Sequence, residues 1–311
     1  MDISVVIVSW NAADRIRRCL KSINAQTFKE FETIVVDNGS EDVTTEIIRN
    51  KFPWVKLIER HNNEGFGGAN NVGILASSGR YVITLNDDLI LDKDFIKNLV
   101  DAIRSAPTDI GMVACRMLRS GTNLIDSTGL VLSKTRRFYD RGSGEKDTGQ
   151  FNETSYVFGP CAGAALYKRD LLEEIKHEGG YFDADFFLLI EDFDIAWRAQ
   201  IKGWKSIYAP AAICFHDRGI SRKKSDYLQF LSFRNRYYLI IKNEDVVNLL
   251  IDLPRFIIYD IPKLVFMLLK NPLFFRALSD LIANRKKLLS KRRHAREGRK
   301  ASPKYIRNLM V

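Results

Sequence analysis

Short apolar runs of strand length alternate along the chain with segments whose apolar residues recur at helical spacing. Ile3 to Ser9 is rich in β-branched residues and too short for a helix, which predicts a first strand with Trp10 and Asn11 at its carboxyl end. Ile16, Leu20 and Ile23 then share one helical face opposite Arg15, Arg17, Arg18 and Lys21, with Asn11 or Asp14 placed to cap that helix. Glu32 to Val36 predicts a second strand, ending in Asp37-Asn38-Gly39-Ser40-Glu41-Asp42 ahead of a helix through Ile47 and Ile48. Val55 to Ile58 predicts a third, leading into the glycine-bearing run His61 to Asn71 and a short helix. A fourth, from Tyr81 to Leu85, ends abruptly in Asn86-Asp87-Asp88 and is followed by a helix from Asp94 to Arg104.

This alternation describes an α/β fold, a mainly parallel, doubly wound sheet. Ligands of such sheets lie beyond the carboxyl ends of the strands. Here those ends carry Ser9 to Asn11, Asp37 to Ser40, the glycine run and Asn86 to Asp88, so these polar clusters converge on one crevice. Two adjacent aspartates are costly to bury, so the fourth strand must end at water, a cation or a ligand.

After about Ala106 the alternation gives way to a second half of mixed topology. Met112 to Cys115, Leu124 to Leu132 and Ser155 to Phe158 read as strands around a polar insertion from Arg136 to Asn152. The small residues from Gly159 to Ala165 allow either close approach of backbone to something bulky or tight helix packing. Glu191-Asp192-Phe193-Asp194 opens a helix that runs to Lys202 and closes at Gly203; acids in a first turn also suit the helix dipole alone. Ala212 to Phe215 predicts a strand ending in His216, followed by a basic loop from Arg218 to Lys224. The remainder is helical, over Tyr227 to Lys242, Val246 to Ile251, Phe256 to Leu269 with an interruption at Pro262, and Phe274 to Ile282. The expected division is a domain over 1–240 and a helical, basic appendage over 241–311.

A length of 311 residues with 46% hydrophobic content is enough for a full core. The N-terminus has no basic n-region and only a strand-length apolar run, which predicts neither signal peptide nor anchor. The four cysteines, Cys19, Cys115, Cys161 and Cys214, show no paired spacing, which points to reduced thiols and the cytoplasm. Much of the net charge of +10 sits in the tail from Asn284 onward, which could bind nucleic acid or an anionic membrane face, or be solvated. No apolar run reaches the roughly 20 residues of a spanning helix. The aromatic-rich segments broken by Pro254, Pro262 and Pro272 read either as an interfacial membrane-binding region or as a buried helical subdomain.

Taken in order, Val5 to Asn11, Val35 to Ser40, Asn62 to Asn70, Leu85 to Asp88, Glu191 to Asp194 with Arg198, and His216 give the chain a family resemblance over about residues 3 to 240. It resembles the family 2 inverting glycosyltransferases of GT-A fold, particularly their rhamnosyltransferase-like branch. In that family an Asp-x-Asp site holds a divalent cation that stabilises the departing diphosphate. The site stands here as Asn86-Asp87-Asp88, with an amide in the first position, so the resemblance implies Asp88 as metal ligand and Asp87 or Asn86 near ribose or an outer-shell water. His216 can complete a site for Mn2+ or Mg2+. Asp37 with Asn38 would meet the base, Ser9, Trp10 and Asn11 would line base and ribose, and the loop Gly65 to Asn70, with Gly68 and Asn70, would offer backbone N–H groups to phosphate. Asp192 would be the general base, Glu191 would hold acceptor or base in place, and Asp194 would be structural.

The resemblance therefore implies transfer of a sugar from a nucleoside diphosphate donor, a dTDP- or UDP-sugar and rhamnose from dTDP in particular, to a glycan or polyprenyl-linked acceptor. The enzyme would act at the inner face of the membrane. The Gln-x-x-Arg-Trp motif of processive relatives is not found after His216, which implies one sugar, or a few, per encounter. Arg234-Asn235-Arg236-Tyr237-Tyr238 resembles a basic aromatic helix of the same branch and reads either as a solvated face with core aromatics or as a contact to an anionic acceptor. A nucleotidyltransferase or dinucleotide enzyme would explain the sheet but not Asp192 with His216 downstream. A basic membrane or nucleic-acid adaptor would leave the acidic crevice unused, and an acid-lined crevice is a poor surface for a phosphate backbone, so nucleic acid is not an expected partner.

Overall fold

The structure, a computed structural model, describes residues 1–217 and 225–311; the basic loop expected from Arg218 to Lys224 lies outside them. The first half alternates as its pattern predicts: β1 (Ile3–Ser9), α1 (Ala13–Asn24), β2 (Phe31–Asp37), α2 (Thr44–Lys51), β3 (Lys56–Glu59), α3 (Gly65–Leu75) and β4 (Tyr81–Asn86). Next come β5 (Leu89–Leu91), α4 (Phe95–Ser105), β6 (Ile110–Arg119), β7 (Ile125–Ser127), β8 (Leu130–Leu132), β9 (Phe138–Asp140), β10 (Ser155–Val157) and β11 (Ala164–Lys168). The chain continues through α5 (Arg169–Ile175), α6 (Glu191–Ile201) and β12 (Lys205–His216). It ends in α7 (Asp226–Asn243), α8 (Val246–Ile251), α9 (Leu253–Lys270), α10 (Phe274–Ala283), α11 (Arg285–Arg296) and α12 (Pro303–Asn308).

The main sheet runs β10-β12-β6-β11-β4-β1-β2-β3, with β5 on β12 and β7 on β6. Its pairs from β4 through β1 and β2 to β3 are parallel, whereas β11 runs antiparallel to both β4 and β6. Because β1 connects to β2 on one side and lies beside β4 on the other, the strand order reverses there and opens a crevice. Register fixes what lines it: Ser9 is paired with Asp37 and Val8 with Asn86, which brings the polar strand ends to one level. Along β1, Ile3, Val5 and Ile7 enter the core beneath α1 and α4, and Val6 enters the core on the opposite face. That period of two buries both faces of the sheet.

Several local expectations are corrected. Neither Asn11 nor Asp14 caps α1: Ala12 occupies that position, Asp14 lies within the first turn, and Asn11, at φ 47°, accepts a hydrogen bond from Glu41 N. The run Leu124 to Leu132 divides into β7 and β8, because Gly129 takes φ 120° between them. His216 ends a twelve-residue strand rather than a short one, and Pro262 lies inside a continuous α9. The small-residue run serves both expected ends. A Cβ on Gly159 would meet Ala196 of α6 at 2.3 Å, and one on Gly163 would meet the Asn86 amide at 3.0 Å.

The basic tail is packed rather than free. Lys291 of α11 reaches Asp185 at 2.6 Å, Arg299 spans Asp245 at 2.7 Å, and Arg307 meets Asp252 at 2.7 Å. The position of residue 240 falls inside α7, and the C-terminus returns to the sheet domain, where Val311 N donates to Leu132 O at 3.0 Å. The tightest tie is Arg136, fully buried in the insertion, with Glu244 at 2.5 Å and Asp252 at 2.8 Å. Removing one member of a buried ion triad leaves uncompensated charge. Arg136→Ala is therefore expected to destabilise the fold by about 3–5 kcal/mol in denaturant unfolding, and a loss below about 1 kcal/mol would show that the triad contributes little.

Candidate active site

The crevice holds two cavities that meet at Asn86. The larger, of about 750 Å³, is lined by Val8, Trp10, Arg15, Asn38, Asn63, Gly65, Asp87 and Asp88, and is roofed by Phe187, Tyr227 and Leu228. The second, of about 410 Å³, is lined by Asp140, Glu191, Asp192, His216, Arg137, Arg236, Tyr259 and Lys263. Asn86, Phe66 and Leu188 belong to both walls. The first-position amide of Asn86-Asp87-Asp88 thus stands at the passage between them.

At the end of β2, Asp37 is buried; its Oδ2 accepts from Ser40 N at 3.0 Å, and its Oδ1 has no hydrogen-bond partner among the described residues. Asn38 fastens the glycine loop, donating to Asn63 Oδ1 at 3.0 Å and accepting from Glu64 N at 2.9 Å. Gly65, at φ 74°, admits no side chain, since a Cβ would fall 2.2 Å from Phe187 O. Of that loop, Asn63, Gly65 and Phe66 face the cavity. Gly68 packs against Glu64 and Ala184, and Asn70 is buried within α3, donating to Phe66 O at 3.0 Å. Ser9 is buried at the end of β1, Trp10 is half-exposed on the cavity wall, and Asn11 turns to Ser40 and Glu41 instead.

Asp87 accepts from Trp10 N at 3.4 Å and faces Arg15 at 3.5 Å. Burial raises its carboxyl to about 6; Arg15 opposes that rise and Asp88 adds to it. Arg15, which the sequence pattern placed only on a helix face, is the one cation lining this cavity among the described residues. Asp88 Oδ1 is buried and pairs with His216 Nε2 at 3.1 Å; no other side chain partners it among the described residues. Asp126 holds the other ring nitrogen of His216 at 2.6 Å. Burial lowers the imidazole, but Asp126 and Asp88 outweigh it and raise it to about 9. A buried carboxylate oxygen whose one partner is an imidazole nitrogen, with a second carboxylate orienting the ring, fits a divalent cation that displaces the imidazole proton. Among the described residues no three His, Cys, Asp or Glu side chains group to hold one, so phosphate oxygens and water would complete its shell.

The second cavity is built around the start of α6. Phe187, Leu189 and Ile190 take φ of 64°, 75° and 76°, and the strained turn aims Glu191 and Asp192 into the cavity. Asn235 of α7 fastens it, donating to the carbonyls of Phe186, Leu188 and Leu189 at 2.8, 2.9 and 2.9 Å. Arg234 donates to Asp185 O at 3.0 Å, and Arg236 to Arg136 O at 3.0 Å. The basic aromatic motif is therefore no solvated face: Asn235 and Arg236 are buried and brace the site. Burial, then the charge of Asp140, raises Asp192 to about 7; burial, then Asp192, raises Glu191 to about 8. Asp194 goes the other way: burial would raise it, but Lys242 and Arg198 bring it down to about 2. The roles of Asp126 and Asp140 carry no local sequence signal, because each acts on a residue distant in the chain; Asn235 is visible in the sequence only as part of the basic aromatic motif, without its role at the turn.

The family model of glycosyl transferase family 2 matches residues 4–176, more than half of the chain. The chain belongs to glycosyl transferase family 2. Among curated relatives, poly-β-1,6-N-acetyl-D-glucosamine synthase of Staphylococcus aureus (strain MSSA476) is 27% identical over 218 residues, covering 68% of this chain and 49% of the relative. The Staphylococcus epidermidis synthase (strain RP62A) is 26% identical over 221 residues. The chain thus spans about half the length of the curated relatives it matches. Among solved structures, a mannosyltransferase from Pyrobaculum calidifontis in complex with GDP-Man and Mn2+ aligns over 94% of this chain and 84% of its own, with TM-score 0.57 and 16% identity. GalNAc-T7 with UDP, GalNAc and Mn2+ aligns over 77% of this chain and 48% of its own, with TM-score 0.59 and 17% identity. S. aureus TarS aligns over 79% and 40%, with TM-score 0.52 and 18% identity. These likenesses establish the shared GT-A fold.

The paired acids of this family 2 member set a stability signature. A carboxyl raised in the folded state favours folding while protonated and loses that contribution as pH climbs from the unfolded value through the folded one. For Glu191 that window runs from about 4.5 to about 8. Glu191→Gln is expected to raise the melting temperature by a few degrees at pH 8–9 and to change it little near pH 4; a mutant less stable than the parent at pH 9 would contradict the assignment.

Proposed function

We propose that the protein transfers a sugar from a nucleoside diphosphate donor to an acceptor hydroxyl, inverting the anomeric centre. The carrying observation is the junction at Asn86 between an acid-floored cavity lined by Asn38, Asp87 and Asp88 and a second cavity into which Asp192 points. In this reading the base lies toward Asp37 and Asn38, with Trp10 on the ribose side, and the diphosphate reaches Arg15 and Asp88. Mn2+ or Mg2+ at Asp88 and His216 would neutralise charge on the leaving diphosphate. Asp37 Oδ1, buried without a partner among the described residues, suits the imide N–H of uracil or thymine, which favours a UDP- or dTDP-sugar. The ligands named for the P. calidifontis enzyme and GalNAc-T7 support this donor class and a divalent cation.

The acceptor enters from the side of Asp140, Tyr259 and Lys263. Its hydroxyl oxygen attacks the anomeric carbon as the bond to the diphosphate oxygen breaks. The electron pair leaves with the diphosphate, and the hydroxyl proton passes to the Asp192 carboxylate. Attack opposite the leaving group in one displacement inverts the centre. Glu191, largely protonated near neutrality, donates a hydrogen bond that orients the acceptor or Asp192. We assign dTDP-rhamnose as the first donor to test, and a glycan or polyprenyl-linked intermediate at the cytoplasmic face of a membrane as acceptor. The polymer synthases among the relatives support a place in polysaccharide assembly.

Asp192→Asn is expected to lower turnover by about 10²–10⁴-fold while nucleoside diphosphate binding persists. In the parent, turnover should rise with pH through about 7, since the base works ionised and its carboxyl is raised to about 7. Near-parental turnover of the mutant would remove Asp192 as base. A separate titration addresses Arg15: Arg15→Ala should weaken nucleoside diphosphate about tenfold and leave the affinity for the bare nucleoside unchanged. Equal losses for both ligands would assign Arg15 to the fold rather than to phosphate.

A further inference from the structure

The outward face of the C-terminal helices is apolar over a continuous stretch. On α9, Asp260 and Met267 are buried along one narrow stripe, and Ile257, Ile258, Ile261, Val265, Phe266 and Leu269 stand exposed on the remainder. Ile258 is 74% and Leu269 71% exposed. Leu250 of α8 and Phe275 of α10 extend the patch at either end. Single exposed apolar residues are ordinary, but a run of exposed apolar side chains along one helix marks an interaction surface.

The rim of this face carries charge of one sign. Arg255 and Lys270 bracket α9 and are exposed, as are Arg276, Arg285 and Lys286 beside it. The acids within α9 and at its start are turned inward: Asp260 meets Arg236 at 2.6 Å, and Asp252 is taken by Arg136 and Arg307. Residues 246–311 hold fifteen Lys and Arg against four Asp and Glu, a net +11 in a chain whose total is +10. Several of these cations, Lys291 and Arg299 among them, are paired with acids outside the segment, so the charge presented beside the patch is that of its exposed rim, Arg255, Lys270, Arg276, Arg285 and Lys286. A second copy seated here would bring two cationic rims together, whereas an anionic lipid surface complements both the apolar centre and the rim. Among the described residues no helix is long and apolar enough to cross a membrane, so contact lies in the plane of the interface.

We infer that the outward face of α8, α9 and α10 docks on an anionic lipid bilayer, with α9 lying along the headgroups. The inner face of the same helix supplies Tyr259 and Lys263 to the acceptor-side cavity. The bilayer surface then sits about one helix diameter, roughly 10 Å, from that cavity. The use made of this placement, delivery of a lipid-linked acceptor to Asp192, rests on the transferase reading above; the docking itself does not.

The test is vesicle flotation of the full chain, comparing phosphatidylglycerol–phosphatidylcholine vesicles with phosphatidylcholine alone, for the parent and the double variant I258D/F266D. Nucleoside diphosphate binding by calorimetry is measured on the same preparations. The parent should float with anionic vesicles, and the variant should bind them at least roughly tenfold more weakly while keeping the parental nucleotide affinity. A parent that does not float, a variant that floats equally, or a parental dimer that the variant dissociates in analytical ultracentrifugation would each overturn the docking. Flotation lost in the variant without nucleotide binding in the parent would uphold the surface and sink the transferase reading instead.

Discussion

The side-chain amide of Asn235 holds the turn on which both halves of the site depend. Each non-glycine residue in the left-handed region costs on the order of 1–3 kcal/mol, and Phe187, Leu189 and Ile190 all lie there. Such a turn persists only where its surroundings over-determine it. Asn235 binds three of its carbonyls, Arg234 binds those of Asp185 and Phe186, and Phe187 O accepts from Phe66 N at 2.7 Å. That last bond joins the turn to the glycine loop, where Gly65 leaves the only room for it. The two cavities are thereby set by one fastening, and Asn86 stands where they meet.

Behind the turn, α6 carries three carboxylates in its first four residues, and environment separates them. Asp194 faces Lys242 at 2.7 Å and Arg198 at 2.9 Å and is a fixed anion that anchors the helix to α7. Asp192 and Glu191 make no ion pair among the described residues, and burial and like charge hold them up toward neutrality. Pushing neighbouring carboxyls apart in this way is how a site obtains a base near working pH. At the neighbouring strand ends the Asp126–His216–Asp88 chain uses the same principle with opposite sign: against burial, the two carboxylates raise the imidazole between them.

Much of the first half was legible because it is local. A β-branched run followed by a 3.6-residue pattern specifies strand and helix, and parallel register then brings Ser9, Asp37 and Asn86 together without further information. The insertion was opaque for the opposite reason: Asp126 and Asp140 sit on strands of three residues each, too short for a period, and act on His216 and Asp192 through tertiary contact. The tail stayed open between nucleic acid, an anionic membrane face and solvation for a related cause: its acidic partners, Asp183, Asp185 and Asp245, lie elsewhere in the chain. Gly68 and Asn70 show the limit of motif reading, since within one glycine run it is Asn63, Gly65 and Phe66 that face the cavity.

The most direct measurement is a crystal structure of the protein soaked with a nucleoside diphosphate sugar and Mn2+, using anomalous scattering to place the metal. The expected result is a manganese peak between Asp88 and His216, the base against Asp37, and the anomeric carbon beside Asn86 facing the Asp192 carboxylate. A nucleotide bound outside the cavity lined by Asn38 and Asp88, or an anomeric carbon turned away from Asp192, would contradict it.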